Sequence, residues 1–298
     1  MVYKRCGTSG LKLPVMALGL WNNFGSEADD ACCWTIIKAA FENGITHFDL
    51  ADNYGPPPGS AEIRFGNILA NELSAHRDEL VISTKAGHPM WNGVYGDGGS
   101  RKHLLAGLDQ SLKRLRLDYV DIFYHHRPDP ETPLDESIGA LVSAVRQGKA
   151  LYVALSKYPA EQLARACAIL REEKVPCIAH QIRYNLLEQP EGILEAADAC
   201  GCGTIVFSPL AQGMLTHKYA HGIPSDSRMA KDTPCLKPSM LTPEVIEKLR
   251  RFSACAQSTD QSLTQYALRW LLDNPLVTSI VIGARTPDQL RENLAAVK

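Results

Sequence analysis

The stretch V-M-A-L-G-L-W-N-N-F-G (15–25) separates the two folds that this chain could adopt. Its first six residues form an apolar run typical of a buried strand, and a turn follows. An open, doubly wound sheet that binds a dinucleotide carries G-x-G-x-x-G in its first strand-to-helix turn. This turn has neither that glycine spacing nor an immediate helix. It therefore favours a closed barrel over the open sheet.

Strand-like and helix-like patterns alternate along the rest of the chain. Strict alternation predicts a parallel sheet with helices outside, and eight repeats suit a (β/α)8 TIM barrel, with residues 1–298 as a single α/β domain. The segment T-S-G-L-K-L-P (8–14) predicts a short N-terminal hairpin that closes the bottom of the barrel. Ser100 is a predicted helix N-cap. The predicted strands are 15–20, 46–50, 79–85, 119–125, 150–156, 177–182, 204–208 and 279–283, and the predicted helices include 60–73, 135–147, 159–173, 191–200, 243–257 and 261–272.

The composition is that of an ordinary soluble protein. The 298 residues are 45% hydrophobic and carry a formal net charge of −2, with no run of like charge that would bind nucleic acid. No apolar run reaches the roughly 18 residues of a membrane span, and the start, M-V-Y-K-R-C-G, has no apolar leader. Nine cysteines without a Cys-x-x-Cys pair predict reduced, mostly buried thiols and no metal site. We therefore expect a cytoplasmic protein.

Chemically active side chains stand at the ends of the predicted strands. Asp49 ends the second strand, Tyr54 follows it, Lys85 ends the third, and a histidine pair follows the fourth. The C-terminal strand ends of such a barrel form one mouth, so these groups should converge there. Singly, each has a structural explanation, such as a turn cap or packing. All of them together are harder to explain by structure alone, because the buried charges of Asp49 and Lys85 are costly unless they are paired.

This pairing bears on the chemistry of Tyr54. An ammonium group beside the ring favours the phenolate, so we expect Lys85 to lower the pKa of Tyr54 from its usual value of about 10. That shift would make Tyr54 a proton donor near neutral pH. Asp52 falls between Asp49 and Tyr54 in the sequence, and the polarity of a solvated turn explains it.

Four motifs in combination resemble the aldo-keto reductase superfamily through nearly the whole chain. They are D-L-A-D-N-Y-G (49–55), S-T-K (83–85), Y-V-D-I-F-Y-H-H-R-P-D (119–129) and F-S-P-L-A-Q-G-M-L-T-H-K-Y (207–219). Two further stretches, N-Y-G-P-P-P-G-S-A-E (53–62) and G-I-P-S-D-S-R (222–228), resemble one branch of it, which holds bacterial L-glyceraldehyde 3-phosphate reductases and voltage-gated potassium channel β-subunits. The resemblance implies a (β/α)8 barrel that binds NADPH across its mouth.

The resemblance implies a catalytic tetrad of Asp49, Tyr54, Lys85 and His126. The implied activity is NADPH-dependent reduction of small aldehydes or ketones, three-carbon or phosphorylated ones among them, with Tyr54 giving a proton to the carbonyl oxygen. His126 would orient that oxygen, and Lys85, held by Asp49, would tune Tyr54. His125 would pack behind His126.

The resemblance also implies a site for NADPH or NADP+. Ser156 and Gln181 would meet the nicotinamide carboxamide, and Phe207 would stack on the nicotinamide ring. Arg285 departs from the Ser usual in this branch, and its guanidinium suits the 2′-phosphate of NADPH. The implied cofactor residues are Trp21, Ser156, Gln181, Phe207, Ser208, Pro209, Leu210, Gln212, Lys218, Arg228, Gly283, Arg285, Gln289, Glu292 and Asn293.

The implied substrate site holds a small carbonyl compound. Its walls would be Trp21, Tyr54, Trp91 and His126, with Arg101 close enough to meet a phosphate. No nucleic-acid, membrane or metal partner is expected. A homo-oligomer, the physiological carbonyl compound and the direction of the reaction stay open.

A regulatory or redox-sensing protein that binds NADPH but turns over little is the alternative to an enzyme. The potassium channel β-subunits typically carry Asn where this chain has His126, which favours the enzyme. The segment L-L-E-Q-P-E-G-I-L (186–194) and the stretch after Gln289 look shorter than in relatives. Either residues are missing from this sequence at these places or the pocket is more open than usual.

Overall fold

The computed structural model describes residues 1–219, 223, 229–230 and 236–297. The chain starts with an antiparallel pair, β1 (Tyr3–Arg5) and β2 (Lys12–Pro14). The remaining strands are β3 (Met16–Gly19), β4 (His47–Asp49), β5 (Val81–Ala86), β6 (Val120–His125), β7 (Ala150–Ser156), β8 (Cys177–Arg183), β9 (Gly203–Phe207) and β10 (Val277–Ile282). They pair in parallel and close into a barrel in the order β10-β3-β4-β5-β6-β7-β8-β9. The predicted (β/α)8 barrel is confirmed.

Helices lie between the strands along the chain. They are α1 (Asp30–Glu42), α2 (Ser60–Ile68), α3 (Arg101–Leu115), α4 (Leu134–Arg146), α5 (Ala160–Glu172), α6 (Ile193–Ala199), α7 (Pro243–Ser258), α8 (Leu263–Leu272) and α9 (Pro287–Ala295). As predicted, the Ser100 hydroxyl caps α3 by accepting a hydrogen bond from the His103 amide at 3.2 Å. In the part of the chain that the structure describes, no helix has both the length and the apolarity to cross a membrane.

The segment after α2 differs from its prediction. The periodicity predicts one helix over 60–73, but α2 ends at Ile68 and continues as a π-helical turn, Leu69–Leu73, and a 3-10 helix, Ser74–Glu79. Leu69 and Leu73 are buried, so the apolar spacing continues past Ile68 although the backbone changes its winding there. The next strand therefore begins at Val81 rather than at residue 79.

The hairpin closes the bottom of the barrel, as predicted. The Cys6 thiol donates a hydrogen bond to the Ile178 carbonyl near the start of β8, at 3.2 Å. Leu13 is buried with the side chains inside the barrel. The Ser279 hydroxyl donates to the Pro14 carbonyl at 2.7 Å. These contacts tie both ends of the hairpin to the N-terminal side of the strands.

Strand register places the polar groups at the opposite end. On β6, Ile122 and Tyr124 point into the barrel, whereas Phe123 packs outside under the helices, which is the two-residue period of a strand. Asp49 pairs with Ser83 in the ladder, and Lys85 pairs with Tyr124. Asp49 and Lys85 therefore both face the interior of the barrel near the C-terminal mouth, with Lys85 two residues beyond the level of Asp49.

Candidate active site

A cavity of about 940 Å³ opens at the C-terminal mouth of the barrel. This volume lies at the upper end of the range for sites that hold cofactors and drug-sized ligands. Of the residues predicted from the sequence, those that line it are Trp21, Asp49, Tyr54, His126, Gln181, Phe207, Ser208, Pro209, Leu210, Gln212, Lys218, Gly283, Arg285, Gln289, Glu292 and Asn293. Residues from distant parts of the chain thus meet at one site.

A buried ion pair forms the floor of the cavity. Lys85 Nζ lies 2.6 Å from Asp49 Oδ2 and also donates to the Leu50 carbonyl at 2.7 Å. The other carboxylate oxygen, Asp49 Oδ1, accepts from the Ser83 hydroxyl at 2.8 Å and from Gln181 Nε2 at 3.0 Å. Both charges are nearly inaccessible to water, so each is compensated by the other and by these donors. Burial lowers the pKa of Lys85, and Asp49 opposes that shift.

Tyr54 lies directly above this pair. Lys85 Nζ is 5.1 Å from the centroid of the Tyr54 ring. The His126 ring meets the same ring edge-on at a centroid distance of 5.9 Å, and Trp21 lies 6.4 Å away on another side. The four residues of the predicted tetrad are therefore gathered at one place. Their catalytic roles remain a prediction.

The expected lowering of the Tyr54 pKa is wrong in direction. Burial raises the pKa of Tyr54 well above its usual range, and the nearby carboxylates of Asp49 and Asp52 raise it further. The reason is that burial and the carboxylate of Asp49, which lies 2.6 Å from Lys85 Nζ, outweigh the attraction between the ammonium group and a phenolate. Tyr54 is therefore a protonated phenol at neutral pH, which suits a proton donor.

His126 is a neutral imidazole in this setting. Its side chain is buried, and burial, followed by the charges of Lys157 and Lys85, lowers its pKa well below the usual value. Its Nδ1 atom has no hydrogen-bond partner among the residues described. His125 packs behind it, as predicted, with Nδ1 2.6 Å from the Tyr158 hydroxyl.

His88 is a part of the site that sequence reasoning missed. Its ring stands perpendicular to that of His126 at a centroid distance of 4.3 Å, and its Nε2 lies 3.1 Å from Lys157 Nζ. Burial and the charge of Lys157 lower the pKa of His88 to about 4. The signal was available, because His88 follows Lys85 by only three residues in the loop after β5. His88 and Lys157 both line the cavity beside His126.

Asp52 is not the solvated turn residue that the sequence predicts. Its side chain is fully buried, and neither carboxylate oxygen has a hydrogen-bond partner in the described part of the chain. Burial, followed by the charge of Glu62, raises the pKa of Asp52 well above its usual value. Gly107 of α3 packs against it so closely that an added Cβ atom would lie 3.1 Å from Asp52 Oδ2. Helix α3 covers Asp52, so this residue is a buried acid although it lies in a turn. The sequence around Asp52 does not reveal this contact.

We expect Asp52→Asn to change the pH dependence of stability. Asp52 has a raised pKa in the folded state, so between its unfolded pKa of about 4 and its folded pKa the folded protein holds an extra proton. The wild type therefore loses up to about 1.4 kcal/mol of unfolding free energy per pH unit across that window, and the uncharged amide of the variant removes this loss. Urea unfolding at several pH values should show that the unfolding free energy of the variant, relative to that of the wild type, increases as pH rises.

The exposed Asp118→Asn is the matched control for that measurement, because it removes the same charge at the surface. Its stability should differ from that of the wild type by a nearly constant amount across the same pH range. If Asp52→Asn also ran parallel to the wild type, the buried carboxyl would not carry a raised pKa.

The residues around the rest of the cavity fit a nicotinamide dinucleotide. Ser156 pairs with Gln181 in the ladder between β7 and β8, and its buried hydroxyl has no hydrogen-bond partner among the described residues. Ser156 itself does not line the cavity, whereas Gln181 does. The backbone at Ser208, Ala211 and Gln212 has φ values of 53°, 46° and 59°, which form a tight turn at the cavity wall. Such turns present backbone N–H groups to an anion.

Positive charge and a helix N-terminus lie at the far end of the cavity. Arg285 is exposed, and its amide donates to Gln289 Oε1 at 2.8 Å. Asn293 Nδ2 donates to the Gly283 carbonyl at 3.3 Å, which fixes the loop against α9. The positive charge and the helix N-terminus suit phosphate groups at this end, and Lys218 adds a second positive charge to the lining of the cavity.

Two predicted contacts do not join the site, and a third, Arg228, lies outside the described residues. Trp91 does not line the cavity; its ring instead lies 5.1 Å from that of His103. Arg101 turns outward and donates to the Gly139 carbonyl and the Ser143 hydroxyl on α4.

Known proteins resemble this chain over most or all of its length. The sequence model of the aldo/keto reductase family matches residues 15–298. The chain is similar to proteins named L-glyceraldehyde 3-phosphate reductase from Escherichia coli strain K12 and from Escherichia coli O157:H7. Each is 52% identical over 303 aligned positions, which cover 100% of this chain and 88% of the relative.

Proposed function

The chain belongs to the aldo/keto reductase family of oxidoreductases, and from this premise we propose that it reduces small aldehydes or ketones to alcohols with NADPH. One observation carries the proposal: Tyr54, His126 and the Asp49–Lys85 pair meet at one point of a cavity large enough for a dinucleotide. We further propose that it acts in the cytoplasm, which suits the eight free thiols among the described residues.

The cofactor would lie across the mouth of the barrel. Gln181 would meet the carboxamide, Phe207 would pack on the nicotinamide ring, and Arg285 would take the 2′-phosphate. Ser156, paired with Gln181 in the ladder, lies behind this wall and would reach the carboxamide only through a shift of its side chain. Bound there, NADPH would supply the hydride that reduces the carbonyl carbon. The two positive charges near Phe207, those of Lys157 and Arg183, lie within 6 Å of its ring and add to the attraction for an anionic cofactor.

Tyr54 would hold the proton that the carbonyl oxygen receives. Burial keeps this phenol protonated until negative charge develops on the oxygen. After the proton has left, Lys85 would stabilise the phenolate across the 5.1 Å to its ring, while Asp49 keeps the ammonium group in place. The neutral His126 would hydrogen-bond to the same oxygen and orient it.

Among small carbonyl compounds, we propose L-glyceraldehyde 3-phosphate as the preferred substrate. The relatives at 52% identity carry that compound in their names. In this chain, Lys157 is the cation with the largest effect on the pKa of His126, and it lines the cavity. Its charge would meet the phosphate while His126 and Tyr54 hold the aldehyde.

The test is a set of initial rates with NADPH against L-glyceraldehyde 3-phosphate, glyceraldehyde, methylglyoxal and an aromatic aldehyde. We expect NADPH oxidation with all of them and the highest kcat/KM with the phosphorylated aldehyde. NADH should give lower kcat/KM, because it lacks the 2′-phosphate that Arg285 would bind. NADPH binding, measured by fluorescence, without turnover of any carbonyl compound would overturn the proposal in favour of a regulatory protein.

A further inference from the structure

Three buried cysteines converge at the end of the barrel opposite the cavity. Cys167 comes from α5, Cys177 begins β8, and Cys202 immediately precedes β9. Their Sγ atoms all lie within 4.8 Å of one another, and Cys167 Sγ is 3.8 Å from Cys202 Sγ. The cluster lies about 13 Å from the cavity along β8, because four residue steps of about 3.3 Å separate Cys177 from Gln181, which lines the cavity.

The sulfur spacing matches the coordination sphere of a thiophilic metal ion. An ion at the centre of a sulfur triangle lies at the side length divided by √3 from each sulfur. Sides of 3.8 and 4.8 Å therefore place it about 2.2 and 2.8 Å from the sulfur atoms, which brackets the Zn–S bond length of about 2.3 Å. Two sulfurs of a tetrahedral zinc site lie about 3.8 Å apart by the same bond length, the separation of Cys167 and Cys202.

A fourth thiol stands at the outer edge of this cluster. Cys200 caps the C-terminus of α6, is half-buried, and precedes Cys202 by two residues. Its thiol is close enough to the Cys167 thiol to form a side-chain hydrogen bond with it. The Arg171 guanidinium donates to the Cys200 carbonyl at 3.3 Å, so a positive charge stands beside the cluster and offsets the charge of metal-bound thiolates.

The surrounding chain holds the three inner sulfurs in place. The Thr8 amide in the hairpin turn donates to the Gly201 carbonyl at 3.0 Å, which clamps the turn before β9. The Cys177 thiol donates to the Ala179 carbonyl at 3.3 Å. The three inner thiols are already gathered and covered, so they provide a closed site. The half-buried Cys200 provides a path by which a metal ion can enter.

We propose that Cys167, Cys177 and Cys202 form a structural site for one thiophilic cation, Zn²⁺, with Cys200 in the fourth position. The sequence-based expectation of no metal site rests on the lack of a second ligand pair near Cys200 and Cys202. The fold supplies that pair from α5 and from the start of β8. Metal binding here is separate from carbonyl reduction and would fasten α5, α6 and the bottom of the barrel to one another.

The test uses the full chain, reduced and freed of metal by a chelator under anaerobic conditions, and Co²⁺ as a visible substitute for Zn²⁺. We expect an intense near-ultraviolet sulfur-to-cobalt charge-transfer band that saturates at one Co²⁺ per chain and is bleached by one Zn²⁺. Zn²⁺ should also raise the melting temperature of the metal-free protein.

Matched variants locate the site. Cys167→Ala, Cys177→Ala and Cys202→Ala should each lose the tight charge-transfer band, whereas Cys255→Ala, which removes an exposed thiol on α7, should keep it. Far-ultraviolet circular dichroism and the carbonyl reductase rate, set at the distant cavity, confirm folding of each variant.

X-ray absorption of the zinc-loaded wild type provides a readout that needs no variant. A shell of three or four sulfurs at about 2.3 Å is expected. The proposal is overturned if the wild type gives no charge-transfer band, if the three inner variants keep the band, or if zinc shows an oxygen and nitrogen shell. It is equally overturned if the reduced protein binds no zinc and peptide mapping after mild oxidation finds a Cys167–Cys202 disulfide instead.

Discussion

Tyr54→Phe is expected to lower kcat for carbonyl reduction by about 10²- to 10⁴-fold, the usual contribution of a general acid. The substitution removes one oxygen atom from a ring that lies above Lys85 and beside His126. The packing of that ring is kept, so NADPH affinity and the melting temperature should stay close to the wild type. The measurement is steady-state kinetics with NADPH and a small aldehyde, together with a fluorescence titration of NADPH.

Tyr124→Phe is the matched control, since it removes the same atom from a second tyrosine near the same lysine. Lys85 Nζ lies 5.3 Å from the Tyr124 ring, but Tyr124 is buried inside the barrel and does not line the cavity. We expect its kcat to stay within a few-fold of the wild type. Equal losses in the two variants would mean that disturbance of Lys85, rather than loss of a proton donor, explains the effect.

Tyr54 also shows why the sequence predicts the position of a residue better than it predicts the pKa of its side chain. Its place near Asp49 and Lys85 follows from the barrel rule, because side chains at the C-terminal strand ends share one mouth. The pKa shift depends on distances that no motif contains. Asp49 lies close enough to Lys85 to offset part of the effect of its charge on Tyr54, and burial then decides that the pKa rises.

The fold itself was predictable because each strand carries its own signal. The eight strands of the barrel coincide with the apolar runs found in the sequence, with shifts of one or two residues at their ends. What could not be predicted is the meeting of residues from different units. Helix α3 covers Asp52, and His88 in the loop after β5 contacts His126 after β6. Cys167 on α5 likewise contacts Cys202 in the turn before β9. Each depends on packing between segments that are separate in sequence.

Replacements in the Asp49–Lys85 pair should distinguish its contribution to stability from its contribution to catalysis. In Lys85→Met, the carboxylate of Asp49 stays buried with only the donors Ser83 and Gln181. Removal of one partner from a buried pair costs about 3–5 kcal/mol of unfolding free energy. The double replacement Asp49→Leu with Lys85→Met removes both charges and should recover most of that loss, because apolar side chains of similar volume can replace a buried pair without net cost.

Carbonyl reduction should stay low in both variants, because neither retains the ammonium group that would stabilise the Tyr54 phenolate. The single variants Asp49→Leu and Lys85→Met, the double variant and the wild type are compared by urea unfolding, which gives the coupling energy of the pair. Kinetics on the same samples gives the activity. Arg77→Met is the control for stability alone. It breaks a 2.9 Å ion pair with Asp121 at the start of β6, away from the cavity, and should lose stability while the reductase rate persists.

Two outcomes would contradict this account of the ion pair. A double variant as unstable as Lys85→Met would mean that the site cannot close around apolar side chains, so the pair would be needed for folding itself. A double variant with wild-type kcat would show that Tyr54 works without the cation. The expected result, a stable but nearly inactive barrel, would mean that the buried charges are retained at the mouth for the chemistry of Tyr54, since the fold can be held together without them.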